Sequence, residues 1–263
     1  MAKKNKKQAR PKPAPPAKKK SSAGFYLVLG GMALVGVVAL LLLNRGGSGS
    51  SSLPPVSVAQ TDVAPSGAFG VSMGPDAAPV RIVEFADFLC PACRNFNAVT
   101  GKLLRQNFAV GEGATLQWVN YDFPLHEQSW QPALAARCAE PSGKYWEMHD
   151  LLYARADDWA TESNMNRTFV DFAETVGIDK KEFEACLKDR SGLEDIGASR
   201  KYGETLGVSL TPTLFINGQK IPPERRYYSY EGMAALIQQA AAQAGEREAE
   251  PTESAEPAEA PAR

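Results

Sequence analysis

The chain has 263 residues and a formal net charge of −1. With both polar ends set aside, about 180 residues remain, enough for one domain with a proper core. The near-neutral balance argues against a nucleic-acid or acidic-ligand role, and the four cysteines, Cys90, Cys93, Cys138 and Cys186, are an even, small set of the kind an exported protein carries.

The neutral total hides an asymmetry. Residues 1–20 hold nine Lys and Arg and no acid, whereas the end of the chain, "GEREAEPTESAEPAEAPAR", is acidic and rich in Ala and Pro. Both ends lack the branched apolar residues needed to offset ordering entropy, so residues 1–24 and 245–263 read as disordered tails. Between them comes "FYLVLGGMALVGVVALLLL", residues 25–43, without a charge. As a helix it spans about 28 Å, close to a bilayer core of about 30 Å. The basic block before it places the N-terminus in the cytoplasm and everything after about residue 45 outside. The run is longer than the apolar region of a cleaved signal peptide and no A-x-A site follows, which favours an uncleaved single-pass anchor. Residues 44–68 are a Gly/Ser/Pro linker.

Order is expected to begin near Phe69. "APVRIVEFADF" is nearly continuous in apolar residues and predicts a strand covered on both faces. Pro91 sits at a first-turn position, and Phe96, Val99, Leu103 and Leu104 follow at helical spacing. "ATLQWVNYDFPL" predicts a second strand. From Ser129 to about Gly207 the pattern is helical throughout; Phe169, Phe172, Ala173 and Val176 fall on one face. "TPTLFINGQKI" predicts a strand, a turn at Asn217–Gly218 and a return strand. A last helix is expected from about Tyr230 to Ala244. The sum is an α/β fold, a mixed sheet flanked by helices, with an all-helical insertion over about residues 128–207 inside a domain spanning 69–244.

The chemistry centres on "CPAC", residues 90–93, directly after a strand and opening a helix. Unpaired N–H groups and the positive end of the helix dipole stabilise a thiolate there, and the pKa of cysteines in such motifs drops from about 8.5 to roughly 3.5–7. Cys90 would be the exposed sulfur that exchanges and Cys93, one turn in, the resolving thiol. Three other readings stand beside this one. A zinc site would need two further ligands, and His126 and His149 are not spaced as a finger. A purely structural disulfide across two residues would remove little chain entropy. The pair could also be adventitious, but that ignores the strand–CPAC–helix setting. The redox dithiol is favoured. His126 and His149 are assigned no chemistry, and Asp87 is either a surface acid or a capping partner. Outside the cytoplasm Cys138 and Cys186 either pair or stay buried; a structural disulfide between them is expected.

At this point the sequence resembles the DsbA-like thiol–disulfide oxidoreductases of thioredoxin-like fold, in their membrane-anchored bacterial branch. The matching segments are "VRIVEFADFLCPACRNF", "DFPLH", "GKYWEMHDLLY" and "GVSLTPTLFINGQ", in family order over about residues 70–244. The resemblance implies a catalytic set of Cys90, Cys93, Pro212 and Glu84. Pro212 matches the family's cis-proline facing the active sulfur; Thr211, Pro212, Pro91 and Ala92 match the substrate-binding positions. Glu84 matches a buried acid beneath the dithiol, although the apolar neighbours Val83 and Phe85 leave open which face it takes. It also implies an oxidase that introduces disulfides into reduced, newly exported proteins, held at the bacterial cell membrane with its catalytic domain in the periplasm or outside the cell. A membrane-embedded partner would reoxidise it. No cofactor, metal or nucleic acid is called for. A disulfide reductase or isomerase, or a metal-binding module on the same fold, are the alternatives.

Overall fold

The computed structural model of the chain describes residues 70–249. The expected basic tail, apolar span 25–43, linker 44–68 and the acidic end beyond residue 249 lie outside the described residues. Among the described residues no helix is long and apolar enough to cross a membrane.

Among the described residues, five strands form one mixed sheet: β1 (Val71–Met73), β2 (Val80–Ala86), β3 (Leu116–Asp122), β4 (Thr213–Ile216) and β5 (Gln219–Lys220). Their order is β1-β3-β2-β4-β5. Only β2 and β3 run parallel, in a register from Val80 opposite Leu116 to Ala86 opposite Asp122. The two central strands therefore end together at one edge of the sheet. All seven residues of β3 are buried, as a strand covered on both faces requires. The hairpin between β4 and β5 turns at Asn217 and Gly218, both with positive φ, the conformation that Asn-Gly supplies in tight hairpin turns.

Successive side chains of β2 point to opposite faces. Phe85 faces an aromatic cluster of Tyr121, Phe123, Tyr202 and Phe215, with ring centroids 5.1 to 6.0 Å away. The helix that covers this face (α8, Gly192–Thr205) comes close because residue 203 is glycine; a Cβ there would sit 2.6 Å from Phe123 and 2.9 Å from Phe85. Ile82 and Glu84 take the other face, which is covered by the helix after the dithiol and by α9 (Tyr230–Ala249).

The stretch expected as one helix after Cys90 is broken into three. An α segment (α1, Pro91–Phe96) leads into a π-helical turn (Asn97–Gly101), and α resumes as α2 (Lys102–Phe108). Two contacts from distant segments hold the turn: Thr100 Oγ1 donates to the Tyr228 carbonyl at 3.0 Å, and Asn97 Nδ2 donates to Asp150 at 3.3 Å. The extra residue in the turn rotates the faces of α2 relative to those of α1. Phe96 and Leu104 are buried as expected, but Val99 and Leu103 face outward, 57% and 45% exposed.

The insertion between β3 and β4 holds α3 (Trp130–Cys138), α4 (Tyr145–Ala154), α5 (Ala156–Trp159), α6 (Asn166–Thr175), α7 (Lys180–Asp189) and α8. Phe169, Phe172 and Ala173 of α6 are buried on one side, as their spacing predicts. Asp179 caps α7 by accepting from the N–H groups of Lys181 and Glu182. Cys138, at the end of α3, is bonded to Cys186 in α7.

Two further expectations need correction. The edge strand β1 was not anticipated, because three residues carry no readable alternation. The last helix continues to Ala249, past the expected end at Ala244 and into the predicted tail; the added Glu, Arg and Ala residues are good helix formers that carry it over Gly245.

Candidate active site

The site begins where β2 stops. Asp87 follows Ala86 and is buried. Its carboxylate accepts from the N–H of Leu89 at 2.7 Å and of Leu125 at 2.8 Å, and from the Ser129 hydroxyl; His126 Nδ1 lies 2.9 Å away. Its carbonyl accepts from the Cys90 N–H at 3.0 Å and from the Tyr153 hydroxyl at 3.3 Å. Asp87 is thus neither of the things expected. It braces the dithiol segment against residues 125–129, which come after the parallel strand β3.

Cys90 then takes the N-cap position of α1 in an extended conformation, with Pro91 as the first helical residue. Cys90 is partly exposed, Cys93 is fully buried one turn further on, and both are free thiols. Their chemistry diverges. Cys90 is drawn down to about 5, chiefly because the Cys93 thiol hydrogen-bonds to its sulfur; burial opposes this, and the backbone N–H groups of Ala92 and Cys93 assist. Cys93 is pushed well above the ordinary thiol range, first by burial and then by its neighbour's sulfur. The helix start contributes to the Cys90 shift through those N–H groups, but the second cysteine contributes more.

Beneath the pair lies Glu84. The β-strand pleat turns it to the dithiol face, which the flanking apolar residues could not reveal. It is 3% exposed, and its Oε2 accepts from Trp118 Nε1 at 3.0 Å. Burial pushes its carboxyl up to about 7, against the pull of Arg105 and the indole hydrogen bond. Glu84 in turn helps raise Cys93. The structure therefore gathers a sulfur that ionises readily, a thiol that does not, and a carboxyl that changes charge near neutrality.

Beside the dithiol opens a groove of about 560 Å³. Ala92, Phe96 and Val99 form one wall, and Leu210, Thr211, Pro212 and Tyr228 the other. The Thr211–Pro212 peptide bond is cis. The Cys90 thiol donates to the Thr211 carbonyl at 3.2 Å, and the Tyr228 hydroxyl donates to the Pro212 carbonyl at 3.3 Å. Pro91 and Ala92 are exposed at the rim. Every residue named from the sequence for the redox site is therefore in one place, while Cys138 and Cys186 are engaged with each other. Trp118, Arg105 and Tyr228 were not singled out. For Trp118 the signal was the parallel register, which sets it beside Ile82 on the Glu84 face. Among the described residues, no group of three or more His, Cys, Asp or Glu is placed to hold a metal ion.

Comparison with known proteins agrees with this fold. Residues 68–239 match a family model described as thioredoxin. Among curated proteins, the Na(+)/H(+) antiporter NhaA 3 of Salinispora tropica is 33% identical over 174 residues, 65% of this chain but only 24% of that protein. The chain thus spans about a quarter of the length of that relative. A protein of Bacillus cereus named as a probable disulfide bond formation protein D is 25% identical, covering 58% of this chain and 72% of its own. Of solved structures, oxidised BdbD from Bacillus subtilis is similar in fold, with a TM-score of 0.57 at 21% identity over 65% of this chain and 92% of that one. Wolbachia pipientis alpha-DsbA1 gives a TM-score of 0.57 at 18% identity, over 68% and 94%.

Proposed function

Because the chain belongs to the thioredoxin family, we propose that it is a thiol–disulfide oxidoreductase that passes a Cys90–Cys93 disulfide to exported proteins. A client thiolate attacks Cys90 Sγ. The Cys90–Cys93 bond breaks, and Cys93 leaves with its electron pair and takes a proton, for which the neutral form of Glu84 is the buried source. A second client thiolate then attacks the client sulfur of the mixed disulfide, and Cys90 departs as a thiolate. The client loses two electrons and the couple gains them; a membrane-embedded partner would remove them again. Thr211 and Pro212 offer backbone groups to an extended client segment in the groove, and Pro91 and Ala92 form the rim it passes.

The observation that carries this reading is the split between the two sulfurs. A leaving group that is stable as the thiolate at neutral pH favours the reduced protein, and a stabilised reduced form makes the disulfide a stronger oxidant. That argues for donation of disulfides over their reduction or isomerisation. The likeness to a relative named as a probable disulfide bond formation protein points the same way.

A placement outside the cytoplasm, anchored by residues 25–43, accords with the basic block ahead of that apolar run and with the Cys138–Cys186 bond, a type that persists in oxidising compartments. Equilibration with glutathione buffers tests the direction. The expected potential lies well above the roughly −270 mV of thioredoxin; a value near thioredoxin's would turn the assignment to a reductase. A Cys93→Ser variant is expected to accumulate mixed disulfides with clients through Cys90.

A further inference from the structure

A second charged group approaches Glu84 from behind. Arg105 of α2 has a side chain only 2% exposed. Its Nη2 donates to Asn97 Oδ1 at 2.9 Å and to Asp150 Oδ1 at 2.6 Å. The guanidinium carbon lies 4.6 Å from the ring centroid of Trp146 and 5.6 Å from that of Trp118. Trp118 is the indole that donates to Glu84. One aromatic ring thus carries the cation against its ring and the carboxylate on its N–H edge. The arrangement depends on the π-helical turn, which supplies Asn97. Gly101 lies against it: a Cβ there would stand 3.2 Å from Phe96, a tight contact, and 3.4 Å from Arg105 Nη1, an ordinary one.

Arg105 Nη1 is buried and has no hydrogen-bond partner among the described residues. A buried guanidinium needs carboxylates close to it. On its outer side the guanidinium has Asp150, whose carboxylate also meets Lys102 Nζ at 3.4 Å and His149 Nδ1 at 3.0 Å. On its inner side, across Trp118, stands Glu84. Among the described residues, the titratable groups that interact electrostatically with Glu84 include Cys93 from α1, Arg105 from α2, Asp150 and Tyr153 from α4, and Tyr228 from the segment before α9. Arg105 is the cation of that set.

We propose that Arg105 is a positioning residue for the redox reaction: clamped by Asn97 and Asp150, it sets the charge of Glu84 and thereby the proton traffic of Cys93. This rests on the reading of Cys90 and Cys93 as a redox dithiol. Arg105 favours the Glu84 carboxylate and the negative charge of Asp150 disfavours it, both across a medium of low dielectric. The two halves of one ion pair therefore act on Glu84 with opposite signs. Mere loosening of the packing has no such sign rule.

The test times the step in which Cys93 resolves a mixed disulfide between Cys90 and glutathione. The Cys93 sulfur attacks Cys90 Sγ, the Cys90–glutathione bond breaks, glutathione leaves as its thiolate, and the Cys93 proton passes to the Glu84 carboxylate. Protein with a reduced dithiol is mixed with excess oxidised glutathione, and release of the second glutathione is timed across pH. The wild type should show an inflection near pH 7, which Glu84→Gln should abolish. Arg105→Met should move the inflection up by at least about half a unit, roughly threefold in the ratio of neutral to ionised Glu84, and Arg105→Lys should largely restore it. Asp150→Asn, which keeps an oxygen for the guanidinium, should move it down. An unmoved inflection in Arg105→Met, or a shift of the same sign in both variants, overturns the proposal. Should Arg105→Met not fold, Asp150→Asn decides alone, and absence of a downward shift overturns it. Failure of Cys90 to link to glutathione would overturn the dithiol reading and this inference with it, whereas normal exchange with an unmoved inflection overturns this inference only.

Discussion

Glu84→Gln should make the fold more stable at alkaline pH while leaving it unchanged in acid. The carboxyl is raised from 4.5 to about 7, burial being the largest cause. Between those values the folded protein binds a proton that the unfolded chain has released, so stability falls as pH rises through the interval and levels off above about 7. The difference of about 2.5 units, at 1.36 kcal/mol per unit, amounts to about 3 kcal/mol of stability lost to this one group by pH 8. Gln has nearly the same shape, keeps an oxygen for the Trp118 N–H and does not ionise. Its advantage should therefore be near zero at pH 4 and grow to about 3 kcal/mol at pH 8. Urea unfolding of both proteins at a series of pH values reads this directly, with both disulfides formed so that no thiol titrates. Shifts from all other groups cancel in the difference between the two curves. A gap that stays constant from pH 4 to pH 8 would mean that Glu84 is not a neutral, buried acid.

Two further outcomes are expected from the geometry. Ultraviolet thiolate absorbance should give Cys90 a midpoint near pH 5, leaving it almost wholly ionised at pH 7 where an ordinary cysteine is ionised only to a few per cent. Cys93→Ala, by removing the largest contributor, should raise that midpoint, and a midpoint that did not move would contradict the thiol–thiolate hydrogen bond. Replacing Cys138 and Cys186 together by Ala reopens a loop of 48 residues, for which chain entropy gives about 4 kcal/mol. Urea midpoints should show most of that loss, and a change under about 1 kcal/mol would exclude the bridge as a major staple.

The sequence revealed most where a signal was local. The strand-to-helix junction at Cys90, the Asn217–Gly218 turn and the one-sided apolar pattern of α6 each depend on residues a few positions apart. What it hid was set by segments distant along the chain. The face taken by Glu84 was unreadable because β2 is covered on both sides: its two polar residues, Arg81 and Glu84, fall at opposite parity, and the rest of the strand is apolar. The π-helical turn could not be seen because its anchors, the Tyr228 carbonyl and Asp150, lie far along the chain. Asp87 looked like an ordinary loop acid because three of its donor partners, from Leu125, His126 and Ser129, sit about 40 residues away.

Asp87 also has a mechanical consequence. One inward-facing carboxylate serves as a common hinge pin for two loops, so the segment carrying the reactive sulfur cannot relax independently of residues 125–129. Ser129 and His126 grip the pin from the far loop, and neither belongs to the helix that bears the cysteines. A substitution at Ser129 or His126 therefore acts on the segment leading into Cys90 while the helix that follows it is left unedited.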